Sequence, residues 1–232
     1  MAQKTARALN ELNREIIACE KCPRLVAYRA QIARDKKRMY RNDAYWGKPI
    51  PGWGDPNARV FLVGLAPGAH GGNRTGRIFT GDSSGDFLFA ALYRAGFANQ
   101  PTSVWRDDDL ELIDTYIGAA ARCAPPDNKP TPQEFANCLP YLAREFELLK
   151  NVRVCIGLGA IAFGAILRVL ETRGIELPKP RPKFGHNVLY HIGSYVVIGT
   201  YHPSRQNTNT GKLTAPMFDA VFENAKRALQ NA

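Results

Sequence analysis

Five cysteines, an aspartate behind a glycine-rich run, an asparagine behind a proline pair and a His-Pro-Ser triplet carry most of the chemistry in this chain. Cys19-Glu20-Lys21-Cys22 is a C-x2-C pair, a spacing at which two thiolates reach one centre. Cys123 and Cys138 stand among prolines, outside the apolar runs. Cys155 lies inside an apolar run and reads as a small buried hydrophobe. Four loop-associated thiols suit tetrahedral zinc or a [4Fe–4S] cluster, and their spacing does not choose between the two. The N-terminus has an amphipathic helical pattern and no apolar signal core, so disulfides are not expected and the expected location is cytoplasmic.

The run Gly64-Leu65-Ala66-Pro67-Gly68-Ala69-His70 has neither the Lys-Ser/Thr of a P-loop nor the G-x-G-x-x-G of a dinucleotide fold. It still leaves backbone N–H groups free to meet a carbonyl or phosphate oxygen. Phe79-Thr80-Gly81-Asp82 sets an aromatic face beside a carboxylate. Phe79 can stack on a planar base or fill a core, and Asp82 can act on a substrate or cap the next helix. His202-Pro203-Ser204 opens a stretch rich in hydroxyls, amides and bases, the donors that meet phosphates.

These residues need elements to position them. Apolar runs at 59–64, 115–121, 152–158 and 195–199 read as strands. Amphipathic or capped stretches at 4–18, 84–95, 131–149 and 214–230, and one from the third strand to 173, read as helices. Alternating strands and helices predict one α/β domain over 1–232, with a parallel sheet between helical layers. The glycine loop, the 122–128 segment and the His202 loop would then leave the same carboxyl edge, where such sheets bind ligands.

Charge narrows the partner. The chain of 232 residues carries 31 Lys and Arg against 21 Asp and Glu, a net +10. Residues 177–218 hold no acid and five bases, Lys179, Arg181, Lys183, Arg205 and Lys212. A second knot, Arg34, Lys36, Lys37, Arg38 and Arg41, reads as a solvated face, as does the acidic patch Asp107, Asp108, Asp109, Glu111 and Asp114. Polyanions are favoured partners, and no apolar run is long enough for a transmembrane helix.

Taken in order, Gly64-Leu65-Ala66-Pro67-Gly68, the segment from Gly76 to Asp82 (G-R-I-F-T-G-D), the segment from Arg122 to Pro130 (R-C-A-P-P-D-N-K-P) and His202-Pro203-Ser204, with the C-x2-C pair, resemble a family 5 uracil-DNA glycosylase over nearly the whole chain. The resemblance implies a three-layer α/β/α fold around a central, mainly parallel four-stranded sheet. It implies a structural [4Fe–4S] cluster on Cys19, Cys22, Cys123 and Cys138, with the N-terminal helical segment supplying the first pair. It implies hydrolysis of the N-glycosidic bond of a deaminated base flipped out of double- or single-stranded DNA. The oligomeric state is not read from the sequence, and a monomer is the simplest expectation.

By the same resemblance Asn128 and Asp82 would hold the water. Asp82 would also steady the sugar cation, and a neutral His202 would bond the base oxygen. Phe79 would stack on the base, in a pocket lined by Gly64, Leu65, Ala66, Pro67, Gly68, His70, Gly118 and Ala119. Ser204, Arg205, Gln206 and Lys212 would meet DNA. Stricter uracil enzymes carry a base-reading asparagine where this chain has Gly118-Ala119-Ala120, so breadth toward hypoxanthine and xanthine is expected. Two rivals explain parts of the pattern: a nucleic-acid-binding module with structural zinc on the same cysteines, and a hydrolase of free nucleotides.

Overall fold

Each long apolar run becomes a strand of a single sheet in the computed structural model, which describes residues 2–231. In chain order the elements are α1 (Ala2–Ile17), α2 (Pro23–Asp35), β1 (Trp53–Gly54), β2 (Val60–Gly64), α3 (Gly72–Thr75), α4 (Ser83–Arg94), β3 (Thr115–Ala119), α5 (Pro132–Leu148), β4 (Val154–Leu158), α6 (Ala160–Thr172), β5 (Val188–Ile192), β6 (Tyr195–Thr200), α7 (Arg205–Asn209) and α8 (Ala215–Gln230). The sheet order is β1-β3-β2-β4-β6-β5. The four central strands run parallel, as expected. Two antiparallel strands at the edges, β1 on β3 and β5 on β6, raise the strand number from four to six. Trp53–Gly54 is too short to carry a period, and β5 is half exposed, so neither is a continuous apolar run.

Burial on both faces explains why β2 and β4 are apolar throughout, and β3 apart from Thr115 at its start. On one face Leu62, Ile117 and Ile156 pack against Phe89 and Leu92 of α4 and Phe218 and Phe222 of α8. On the other, Phe61, Val63 and Cys155 meet Leu9 of α1, Phe146 of α5 and Phe163 of α6. Caps set the helix starts. Thr131 and Glu134 form a capping box on α5, and Thr214 caps α8.

The structure adds short helices where loops were expected. The segment just after the glycine run is α3, and most of the 204–212 segment is α7, capped by Ser204, whose hydroxyl accepts from Asn207 N at 3.4 Å. The parallel register ends β2, β3, β4 and β6 on one edge, from which all three chemistry-bearing loops depart. No helix among the described residues is long and apolar enough to cross a membrane.

Candidate active site and cysteine cavity

The first loop is an extension of the sheet. Ala120 N and Ala121 N donate to the carbonyls of Gly64 and Leu65, both at 2.9 Å. At Gly64 a side chain would displace the Phe79 ring, because a Cβ would lie 2.8 Å from its Cε2. Phe79 itself holds φ at 55°, a left-handed conformation that costs energy for a bulky residue. Its buried ring faces the imidazole of His202 with centroids 5.7 Å apart and planes at 32°. Phe79 therefore joins the end of β2 to the loop after β6.

Asp82 has two environments. Its Oδ1 accepts from Ser84 N at 3.0 Å and Gly85 N at 3.1 Å, capping α4. Its Oδ2 points at the glycine loop, 3.0 Å from where a Gly68 Cβ would stand. A Cβ on Gly71 would collide with the same oxygen. Burial raises the Asp82 carboxyl above its ordinary value, opposed by the two amide donors. One carboxylate thus caps α4 with one oxygen and faces the glycine loop with the other.

Two buried arginines brace this loop. Arg77 donates to Thr80 Oγ1 at 2.9 Å, Ser103 Oγ at 3.0 Å and Asp108 Oδ1 at 2.6 Å, and lies over the Trp53 ring. Arg74 donates to the carbonyls of His70 and Gly81 at 2.8 and 2.9 Å, and to Asp43 Oδ2 at 2.7 Å. The acidic patch is accordingly not all solvated face. Asp108 is a structural counter-ion to Arg77, and Asp114 pairs with Arg59.

His202 is half-buried, and burial pushes its imidazole down to about 4, so it is neutral at neutral pH. Asn207 Nδ2 donates to its carbonyl at 2.9 Å, fixing the turn into α7. His70 Nδ1 is 2.9 Å from the hydroxyl of Tyr45, and burial lowers this imidazole too. Leu65, Ala66 and Gly68 are half-buried along the loop, and Pro67 is buried.

Asn128 makes no side-chain hydrogen bond to this cluster. It is exposed at the end of a 3-10 turn, Pro126–Asn128, with φ of 56°; its backbone N donates to Pro125 O at 3.3 Å, and its side-chain amide has no hydrogen-bond partner among the described residues. Gly118 and Ala119 separate as strand neighbours must. Ala119 shares the face of Phe79, whereas a Cβ on Gly118 would meet Glu145 Oε2 at 2.8 Å and Phe61 on the opposite face. Arg205 and Gln206 are exposed on α7, and Lys212 lies over the Tyr201 ring at 5.0 Å.

The cysteines form a second centre. Cys19, Cys22, Cys123 and Cys138 line one small enclosed cavity, with Arg29, Arg122 and Asn137 beside them. Arg29 Nη1 donates to Cys123 Sγ at 3.0 Å, and Asn137 Nδ2 to Cys22 Sγ at 3.3 Å. Burial pushes the Cys123 thiol up to about 11, so as a free thiol it keeps its proton. Behind them Arg122 and Glu145 make a fully buried ion pair that leaves Nε and Nη1 of Arg122 without partners. Among the described residues, no three His, Cys, Asp or Glu side chains are grouped closely enough to hold one metal ion. Cys155 is buried in β4, away from this cavity.

Sequence reasoning missed Tyr45, Arg74 and Arg77. The two arginines lie between the recognised glycines and Asp82, where their spacing on α3 and the following turn was the available signal. Tyr45 has no local signal, since only the fold brings it to His70.

Comparison with known proteins gives the family. The model of the uracil DNA glycosylase superfamily matches residues 51–226. A type-5 uracil-DNA glycosylase of Thermus thermophilus is 48% identical over 213 residues, 91% of this chain and 94% of that protein. One from Mycobacterium bovis is 46% identical over 224 residues, 96% of this chain and 82% of that protein. A type-4 uracil-DNA glycosylase of Pyrobaculum aerophilum is 30% identical over 84% of this chain and 83% of its own length. Identity falls from the type-5 to the type-4 relatives, and the chain belongs to the uracil DNA glycosylase superfamily, in its type-5 branch.

Proposed function

We propose that this protein is a monofunctional DNA glycosylase that hydrolyses the N-glycosidic bond of uracil, and also of hypoxanthine and xanthine, leaving an abasic site. The observation that carries the reading is the meeting of Asp82 Oδ2, the Gly68–Gly71 loop, Phe79 and His202 at one sheet edge. A flipped base lies against Phe79, with its oxygen toward His202. As the bond from the sugar carbon C1′ to the base nitrogen breaks, its electron pair leaves with the base. The neutral His202 donates a hydrogen bond to that growing anion. Water adds to C1′, and its proton passes to Asp82, whose carboxylate also faces the positive sugar. The Asn128 side-chain amide, free of protein partners, holds the water.

Breadth of substrate rests on the small residue Ala119 at the end of β3, which directs no hydrogen bond at a base edge. Arg205, Gln206, Ser204 and Lys212 carry the DNA strand beside the flipped nucleotide, in duplex or single strands. The protein acts as a monomer and as one domain, in the cytoplasm. The four cysteines hold a [4Fe–4S] cluster. Its support is that the four sulfurs line one cavity, and that two donors, Arg29 and Asn137, already address them. When bound, the cluster supplies a structural cross-link. The test is a panel of duplexes with one uracil, hypoxanthine or xanthine, incubated and then cleaved with alkali. Strand breaks at all three are expected. Breaks at uracil alone overturn the breadth, and none at uracil overturns the activity.

A further inference from the structure

The basic knot after α2 reads from sequence as a solvated face without a role, and its placement gives it one. Beyond Asp35 the chain makes a 3-10 turn, Arg38–Tyr40, then runs back along the glycine loop. Trp46 N donates to Arg74 O at 3.0 Å, and Gly47 N to Asn73 O at 3.1 Å. The Arg74 guanidinium lies 4.0 Å from the Tyr40 ring and pairs with Asp43, while Tyr45 reaches His70. Lys36 closes the turn by donating to the carbonyls of Arg41 and Asp43 at 3.3 and 2.8 Å. The turn is therefore fastened to the loop that carries the active-site glycines.

What it presents outward is unbalanced charge. Lys37, Arg38 and Arg41 are exposed and in no ion pair among the described residues, and the nearby carboxylate of Asp43 is taken by Arg74. Met39 stands between them at 70% exposure. After burial, the charge of Lys37 is the next cause lowering His70, so the field of this turn reaches the site.

We infer that the turn from Lys37 to Asn42 is a second duplex-binding element, distinct from α7, whose three cations take phosphates of the DNA flanking the flipped nucleotide. Duplex DNA suits it because the turn is fastened to the glycine loop and presents three cations there, and because an apolar tip between cations fits a groove wall. The inference rests on the glycosylase reading for the identity of the ligand.

Binding of a fluorescently labelled undamaged duplex, followed by anisotropy at several salt concentrations, tests it. Lys37→Ala/Arg38→Ala/Arg41→Ala is compared with Lys150→Ala/Arg153→Ala/Arg227→Ala, an equal charge loss at Arg153 and Arg227, which line the cavity between β5, β6 and α8, and at Lys150, whose carbonyl accepts from Arg153. The first variant should bind about tenfold or more weakly at low salt, with the slope of log affinity against log salt reduced by about one for each phosphate left without its cation. The second should match the wild type, and Arg38→Lys/Arg41→Lys should keep the wild-type slope. An unchanged slope in the first variant, or equal weakening in both triple variants, overturns the inference. Melting temperatures report that each variant is folded. Uracil excision by the wild type, read separately by alkali cleavage, decides the glycosylase reading whichever way the binding result falls.

Discussion

Oδ2 of Asp82 fills the space that a side chain on Gly71 would need, while Oδ1 of the same carboxyl caps α4. One group therefore holds a helix and faces the pocket, and substitution can separate the two. Asparagine caps as well as aspartate. Asp82→Asn should keep the melting temperature of the wild type and lose about 10²- to 10⁴-fold in excision rate. Asp82→Ala should lose the same rate and a further ~1 kcal/mol of stability. A wild-type rate in Asp82→Asn would confine Asp82 to capping.

Gly64→Ala should act through Phe79. The new methyl meets the ring edge, so the ring must leave its place beside His202. The expected cost is about 1–3 kcal/mol of stability from overpacking. In single-turnover assays the rate should fall, and the concentration for half-saturation should rise. Unchanged kinetics would separate Phe79 from base binding.

His202 makes stability depend on pH with a definite sign. Folded, its pKa is about 4; free, it is 6.5. Between these values the unfolded chain binds a proton that the fold refuses. Stability should decline as pH falls from 6.5 toward about 4, then stop declining on this account. His202→Ala should flatten that part of a denaturant-midpoint series. Excision should be level through the neutral range and fall in acid, as Asp82, its carboxyl raised by burial, and His202 gain protons.

The cysteine cavity predicts a coloured protein. Purified without oxygen, the wild type should be brown and contain iron and sulfide. Cys138→Ser should be pale and melt at a lower temperature, because cluster binding is folding free energy. Zinc in place of iron and sulfide, in a colourless protein, would favour the binding-module rival.

Glu145 offers a check on the buried pair. Glu145→Ala leaves the Arg122 guanidinium charged, enclosed and alone beside the cavity. Destabilisation of about 3–5 kcal/mol is expected from chemical denaturation. A smaller loss would mean that water reaches Arg122.

The sequence made the parallel core legible because strands buried on both faces must be apolar throughout, as Val60–Gly64 and Val154–Leu158 are. The edge strands carry no such mark: Trp53–Gly54 has no period, and Val188–Ile192 is half exposed. The helix over Pro23–Asp35 is also hidden, since its charged end merges with the basic knot that follows. At the site, Asp82, Phe79 and His202 were readable from motif order, and the structure brings them to one edge. The braces were not. Arg77 finds Asp108 and Ser103 from a chain segment more than twenty residues away, a pairing no local pattern announces. Gly118 shows the remaining limit: its type suggested a pocket lining, but pleating turns it to the far face.

The partners of α1 come late in the chain. Leu12 and Ile16 pack on Tyr141, and Glu15 pairs with Arg144, all more than a hundred residues downstream. On a translating ribosome the first helix does not meet this surface until α5 has emerged, roughly ten seconds later at about 5–20 residues per second. The amphipathic opening of this protein is thus a segment that must be guarded by solvation or by a chaperone during synthesis. A truncation before Tyr141 should leave it a ready substrate for proteases.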